Sequence, residues 1–513
     1  MTVINKDDVI LIKKAAKYLD GYKWNIFVIA LLEITDIVMD IIQPLIWGYL
    51  VADVCRLQFE SVTKYLLLLI SLMVVQISGD YLEAYCRAKT NENIEKDIRN
   101  DIYINVLNSP MKAFDKMGAG EVLDHLEGDV VSVSNVFTER LIGLVINLIK
   151  AIIISVVVIK INYIIAVLIF LFFPMTLAAM KVFGKCIRKT DEQLRKNTDR
   201  YYSFVQDTMT CIREIKSLGL KQKNANLFDK VIDKNKILQI KIYKIQAALS
   251  STVQGLNFAL QTMLFVTGIH FIVEGELRVE LFVALISYAE MVSYSLMQVA
   301  QVNPELQETF VSIERIFKIL EGTEYGKEQF GIENIDKTID SIRFENVSFS
   351  YNGTPVLRNI SFEFKHGKNI LCGKSGSGKT TIIDLILRLY DVDSGEIILN
   401  ETNMVNISEQ SIRRGITVVT QEPNLFNGDL RYNIALNNET ISDDEILGLC
   451  RAVCLDDLID SLPEKLNTKL TNLGADFSVG QKQRIAMARS IASLSEVIIF
   501  DESTTGLDGY QKK

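Results

Sequence analysis

The chain has 513 residues, a formal net charge of −8, and 49% apolar beside 23% charged residues. The acidic balance excludes a nucleic-acid partner held by a basic surface, and so large an apolar share excludes an even spread over a water-exposed surface. Seven cysteines, Cys55, Cys86, Cys186, Cys211, Cys372, Cys450 and Cys454, show no metal-ligand spacing and imply no disulfide framework.

The first residues mix charge with apolar side chains (KDDVILIKKAAKYLD), unlike a cleavable signal peptide. Beyond them, six segments of about 20 or more apolar residues suit a bilayer core: 24–50, 65–86, 138–159, 163–183, 247–273 and 281–301. Trp24 and Trp47 bracket the first. The helical rise of about 1.5 Å per residue puts them roughly 35 Å apart, one at each interface. Pro44 and Pro174 predict kinks. The expected outer loops, 51–64, 160–162 and 274–280, hold few basic residues, whereas the inner loops, 87–137 and 184–246, are long and basic. Lys13, Lys14, Lys17 and Lys23 mark the N-terminus as cytoplasmic, so both ends face the cytosol. The inner loops repeat apolar residues every three or four positions and read as helices continuing the spans. Near their tips lie Ala113 to Val130 and Ile215 to Phe228.

Charges within the spans are costly and mark function or pairing. Glu33, Asp36 and Asp40 share one face of the first span; Lys150 and Glu290 lie in the third and sixth. They either line a wet cavity that favours a cationic substrate or pair internally, for example with Lys150.

A charged linker, 321–340, leads into RFENVSFSYNGTPVLRNISFEFKHGKNILCGKSGSGKTT. The loop Gly373-Lys374-Ser375-Gly376-Ser377-Gly378-Lys379-Thr380 fits G-x-x-x-x-G-K-[ST] at every position. It follows an expected strand, Asn369 to Cys372, and opens an expected helix, Thr381 to Leu387. Glycines let backbone N–H groups approach phosphate, and the helix N-terminus adds favourable partial charge. Lys379 reaches the β- and γ-phosphates, the Thr380 hydroxyl suits Mg²⁺, and Thr381 joins the phosphate-binding set. Further on, Glu496-Val497-Ile498-Ile499-Phe500-Asp501-Glu502 reads as a buried strand ending in two carboxylates. Asp501 suits Mg²⁺ and Glu502 suits a base that polarises water. Cys450 and Cys454, one helical turn apart, read as two small apolar residues on one helix face.

With these motifs in place, nearly the whole chain resembles the ABC transporter family, specifically half-size exporters with six spans. Phe477-Ser478-Val479-Gly480-Gln481, continued by KQRIAMARS, resembles the family signature LSGGQ. VVTQEPNLF resembles the Q-loop, making Gln421 a Mg²⁺-sensing residue; Tyr351 matches the aromatic residue that stacks on adenine; Thr505 to Asp508 resembles the D-loop. The two inner-loop tips look like coupling loops. The resemblance implies a membrane all-α six-helix bundle (1–320) followed by an α/β P-loop ATPase domain (341–513). It implies ATP and Mg²⁺ as cofactors and two ATPase domains paired head to tail. Each nucleotide is then sandwiched between one P-loop and the other domain's Ser478, Gly480 and Gln481. Six spans per chain require a second half-transporter, as homodimer or heterodimer. The substrate is unidentified, with a tilt toward a cationic peptide or amphiphile, and the topology suits a bacterial inner membrane.

The sequence departs from the family in two ways. Val479 replaces the first signature glycine. The family pattern continues past the D-loop through further strands and a switch histidine, whereas His125, His270 and His366 all precede the P-loop. The expectation is an ATPase domain lacking its C-terminal strands and helices, with part of its parallel sheet unpaired. It is read as a fragment of a working exporter, as a hydrolysis-deficient half or regulatory subunit of a heterodimer, or as an inactive remnant.

Overall fold

A computed structural model describes residues 6–114, 119–323, 326–335, 338–374, 376–436, 438, 440–470 and 477–501. The chain divides into two units: Met1–Tyr103 with Gly120–Leu320, and Ile104–Ala119 with Glu321–Lys513.

The first unit is all helical. Its long helices are α1 (Lys23–Cys55), α2 (Phe59–Leu107), α3 (Gly120–Ile161), α4 (Tyr163–Thr210), α5 (Lys221–Val273) and α6 (Val279–Leu320). Among the described residues, five helices are long and apolar enough to cross a membrane: α2 to α5 and the Val279–Val299 part of α6. They contain the last five predicted spans, except that the final one, 281–301, runs two residues past Val299 within α6. The first predicted span is helical throughout but falls outside these five; Glu33, Asp36 and Asp40 dilute its apolar run. Helices α1 and α4 run on through Pro44 and Pro174. The inner loops are helical as expected: α2, α4 and α5 extend well beyond their apolar windows.

In a bilayer, helices associate through close packing rather than a hydrophobic gain. Gly48 shows this. A Cβ there would stand 2.0 Å from the Glu280 carbonyl oxygen, so α1 and α6 approach backbone to backbone. Ile154, Val158, Ile165, Ile169, Leu264, Leu285 and Tyr288 form the buried centre. Leu67, Ile70, Val74, Ile152, Val167 and Val266 point outward, as lipid-facing side chains do.

The membrane charges have internal partners. Arg87 pairs with Glu33 at 2.7 Å and also with Glu83, and Lys150 pairs with Asp40. Gln76 donates to Asp36 at 2.8 Å, and Gln261 donates to Glu290.

The second unit begins with an antiparallel sheet of β1 (Ser341–Tyr351), β2 (Thr354–Lys365), β3 (Ser394–Leu399) and β4 (Thr402–Asn403), in the order β2-β1-β3-β4. Helix α7 (Lys379–Ile386) packs Ile382, Leu385 and Ile386 against Phe344, Phe349, Leu357 and Ile397. Helix α8 (Glu409–Gly415) leads into β5 (Ile416–Val419). After the short β6 (Gly428–Asp429) come helices α9 (Leu430–Ala435), α10 (Asp443–Ala452) and α11 (Asp456–Ser461). With β7 (Lys469–Leu470) and α12 (Val479–Ala492) they build a second core around Leu430, Ile434, Ile446, Leu455 and Ile485. The last described strand, β8 (Val497–Phe500), runs parallel to β5.

Three expectations change. Residues 369–372 form no strand, and Ile370 is 87% exposed. An apolar run becomes a strand only when a neighbour supplies ladder partners, and among the described residues β5 pairs with β8 instead. For the same reason β8 is only half-buried, with Phe500 exposed, rather than a buried strand. Cys450 is buried, but Cys454 lies past the end of α10 at φ +57° and is exposed, so the two do not share a face.

Part of the linker is laid along the segment that joins β4 to α8. Gly331 N–H donates to Ile407 C=O, Glu333 N–H to Asn406 C=O, and Ser408 N–H to Glu333 C=O, at 3.1, 2.9 and 2.8 Å. The Phe330 ring sits beside two guanidinium groups, Arg388 at 4.6 Å and Arg413 at 5.6 Å. Arg388, buried just beyond the end of α7, donates to the Gln329 carbonyl at 2.6 Å.

Candidate functional site: a phosphate loop

Gly378 caps α7 in the left-handed region (φ +90°), and Gly376 lies there too (φ +77°). A side chain is disfavoured at both positions. At Gly373 a Cβ would fall 2.6 Å from the Ser377 hydroxyl, which would have to turn away. Ser377 N–H donates to the Lys374 carbonyl at 3.2 Å. The Lys379 ammonium curls into the loop and donates to the Gly373 and Lys374 carbonyls at 3.0 and 3.1 Å. The result is a ring of backbone dipoles at a helix N-terminus with a cation at its centre, which is an anion site. Thr381, the third residue of α7, is buried in its first turn.

The ladder between β5 and β8 continues one residue beyond β8: Asp501 N–H donates to Val419 C=O at 3.0 Å. This delivers the Asp501 carboxylate to the foot of the P-loop, where its Oδ2 lies 3.4 Å from Thr380 Oγ1, 121 positions away in sequence. Two oxygen ligands adjacent on an octahedral Mg²⁺ at about 2.1 Å stand roughly 3 Å apart. The pair therefore fits Mg²⁺ with little movement. Among the described residues no group of three His, Cys, Asp or Glu side chains could hold a metal by itself.

Tyr351 ends β1 and meets Phe349 and Tyr390 edge to face at 4.8 and 5.2 Å. Its hydroxyl donates to Asp384 on α7 at 2.9 Å. Gln421 follows β5 by two residues. Ser478 is the N-cap of α12: its Oγ accepts from Gln481 N–H at 3.2 Å, and Gln481 Oε1 accepts from Ser478 N–H at 2.8 Å. The Gln481 side chain is thus engaged in a capping box, while the Ser478 hydroxyl, being an acceptor there, keeps its proton for donation. Val479 takes helical backbone as the first residue of α12, where no glycine is required, and is 52% exposed beside Gly480. Ser375, Glu502 and Thr505 to Asp508 lie outside the described residues.

The structure thus gathers Gly373, Lys374, Gly376, Ser377, Gly378, Lys379, Thr380 and Asp501 into one site. Asp384, Gln483 and Arg489 escaped the sequence reading, because nothing local to them reveals partners 30 to 65 positions away. Arg489 is gripped by Asn424 and Asn433, and burial lowers its guanidinium pKa.

Residues 26–296 match the family model "ABC transporter transmembrane region", and residues 357–505 match "ABC transporter". An ATP-dependent lipid A-core flippase of Syntrophus aciditrophicus is 26% identical over 86% of this chain and 74% of its own length. A putative ABC transporter ATP-binding protein of Streptococcus pneumoniae is 27% identical over 97% and 86%. A putative export ATP-binding/permease protein of Rickettsia typhi is 26% identical over 98% and 88%. With the transmembrane family spanning more than half of its length and the ATPase family covering the phosphate loop and the strand that brings Asp501 to it, the chain belongs to the ABC transporters as a half-size exporter.

Proposed function

We propose that the chain works as one half of a dimeric exporter that uses ATP·Mg²⁺ to move a lipid-like amphiphile across a membrane by alternating access. The observation that carries this reading is the meeting of Thr380 and Asp501 beneath a complete P-loop, in a chain that also holds a bundle of membrane-length helices. Mg²⁺ would supply charge neutralisation between the phosphates when held by Thr380 and Asp501. Lys379 leaves its two carbonyls to meet phosphate oxygens, Tyr351 offers an aromatic face to the base, and Glu502 polarises the attacking water. Ser478 donates its hydroxyl proton to the nucleotide on the partner subunit's P-loop. ATP bound preferentially by the closed pair shifts the population of the bundle, and hydrolysis resets it.

A lipid-like substrate is favoured over a small cation on two grounds. Glu33, Asp36, Asp40 and Glu290 each already face an internal partner. Flippases for lipid A-core are among the relatives. Two cytoplasmic termini and a bacterial inner membrane complete the proposal. The test is reconstitution of the full chain in liposomes with ATP inside or outside. Vanadate-sensitive ATPase stimulated by an amphiphilic lipid, with ATP-dependent transfer of that lipid between leaflets, is expected. Transport confined to small organic cations would overturn the substrate class. Absence of ATP·Mg²⁺ binding would overturn the whole reading.

A further inference from the structure

Gln421 is held in place by the helix that carries the signature. Gln483, fully buried on α12, donates its Nε2 to the Gln421 carbonyl at 2.8 Å. That acceptor decides which end of the amide faces it. The Gln483 Oε1 is left buried with no donor among the described residues. Further along α12, Arg489 donates to the Asn424 carbonyl at 3.3 Å and to the Asn433 carbonyl at 2.8 Å. Asn433 in turn brackets Phe426, accepting from its N–H at 2.8 Å and donating to its C=O at 2.9 Å. The segment 421–426 is therefore fastened to α12 at both ends.

Two features separate Gln483 from an ordinary core residue. A methionine of similar length would fill the same volume without an unmet buried acceptor of its own, and the carbonyl it releases belongs to exposed Gln421, where water can replace the lost donor, so fold stability calls only weakly for an amide here. And the carbonyl it holds belongs to the residue that the family resemblance aims at Mg²⁺. At about 1.5 Å per residue, Gln483 lies roughly 7.5 Å of rigid helix from Ser478.

We propose that Gln483 is a positioning residue that makes the Gln421 backbone follow α12, so that engagement of Ser478 by one nucleotide sets Gln421 at the other. In a head-to-tail pair Ser478 faces the nucleotide on the partner subunit's P-loop, and Gln421 faces the nucleotide on its own. One chain touches both sites, and the Gln483–Gln421 bond joins them. This rests on the roles given above to Ser478 and Gln421.

The test uses the full chain in lipid nanodiscs. Q483M should leave thermal unfolding and the affinity for a non-hydrolysed ATP analogue unchanged. It should lower kcat about 10- to 100-fold and bring the Hill coefficient for ATP down to 1. Amides of 421–426 should exchange hydrogen faster while those of α12 stay protected. Wild-type kcat and Hill coefficient in Q483M, in a background where S478A and Q421A each impair turnover, would overturn the proposal. If S478A and Q421A leave turnover unchanged, the underlying roles fail instead. In the unmodified chain, exchange at 421–426 and 478–483 should slow together on ATP binding; independent responses would also overturn it.

Discussion

Gly378→Ala is the sharpest probe of the phosphate loop. Its backbone sits at φ +90°, where a side chain costs about 1–2 kcal/mol. Its Cβ would also stand 2.8 Å from Leu357 Cδ2 and 3.2 Å from Val356 Cγ1. Leu357 is itself buried in the sheet core and has nowhere to swing, so overpacking adds about 1–3 kcal/mol. The two together come to about 2–5 kcal/mol. A variant that relaxes the first turn of α7 must recover that energy to rebuild the loop around phosphate, a loss of roughly 30-fold or more in ATP·Mg²⁺ affinity. Gly376→Ala provides the internal control. It shares the left-handed backbone (φ +77°), but nothing lies within 4 Å of its Cβ, so only the strain of about 1–2 kcal/mol applies to the empty loop. Thermal unfolding of both variants without nucleotide, beside equilibrium binding of a fluorescent ATP analogue, separates contact from strain. If Gly378→Ala unfolds no earlier than Gly376→Ala and binds ATP within twofold of the parent, the steric reasoning is wrong.

Asp501→Asn should keep metal-free ATP binding and lose the gain on adding Mg²⁺. ATPase rate should fall at least about 100-fold, since metal charge stabilisation amounts to several kcal/mol; Mg²⁺ titrations of binding and turnover check this. Lys150→Met strands the buried Asp40 carboxylate and should cost about 3–5 kcal/mol. Adding Asp40→Asn should restore most of it, as read by thermal unfolding in detergent; an unchanged midpoint in the single variant would mean the pair is not formed. Burial pushes the Cys450 thiol up to about 11. At pH 8 on the order of 0.1% is thiolate, so iodoacetamide should label exposed Cys454 and spare Cys450 until the chain unfolds. Because the folded state favours the neutral thiol, this contribution to stability is intact below the ordinary thiol range and fades as pH rises toward 11.

The P-loop was legible because its function is local: eight consecutive residues fix both backbone and chemistry. Asp501 was legible as a carboxylate at a strand end, but its meeting with Thr380 depends on the β5–β8 register, which no short motif states. Helical spacing placed Glu33, Asp36 and Asp40 on one face of a helix. It could not choose among the helices that supply Arg87, Gln76 and Lys150. The apolar run 369–372 promised a strand, since hydropathy reports what a segment would bury and not whether a neighbour is present to pair with it. Tyr351 was found from its motif. Its anchor Asp384 was not, because a surface-like acid on an amphipathic helix gives no sign of a tyrosine arriving from β1.

The strip of backbone around Phe330 changes where the ATP-binding module can sensibly be excised. A cut at Ser341, where β1 starts, would strip the aromatic ring from beside Arg388 and Arg413 and take away the Gln329 carbonyl, one of the acceptors of Arg388. The buried guanidinium would keep the Met404 and Val405 carbonyls but lose an acceptor and its ring, just past the end of the helix whose first turn carries the phosphate loop. A soluble ATPase fragment beginning near Glu321 should retain nucleotide, and one beginning at Ser341 should aggregate or bind it weakly.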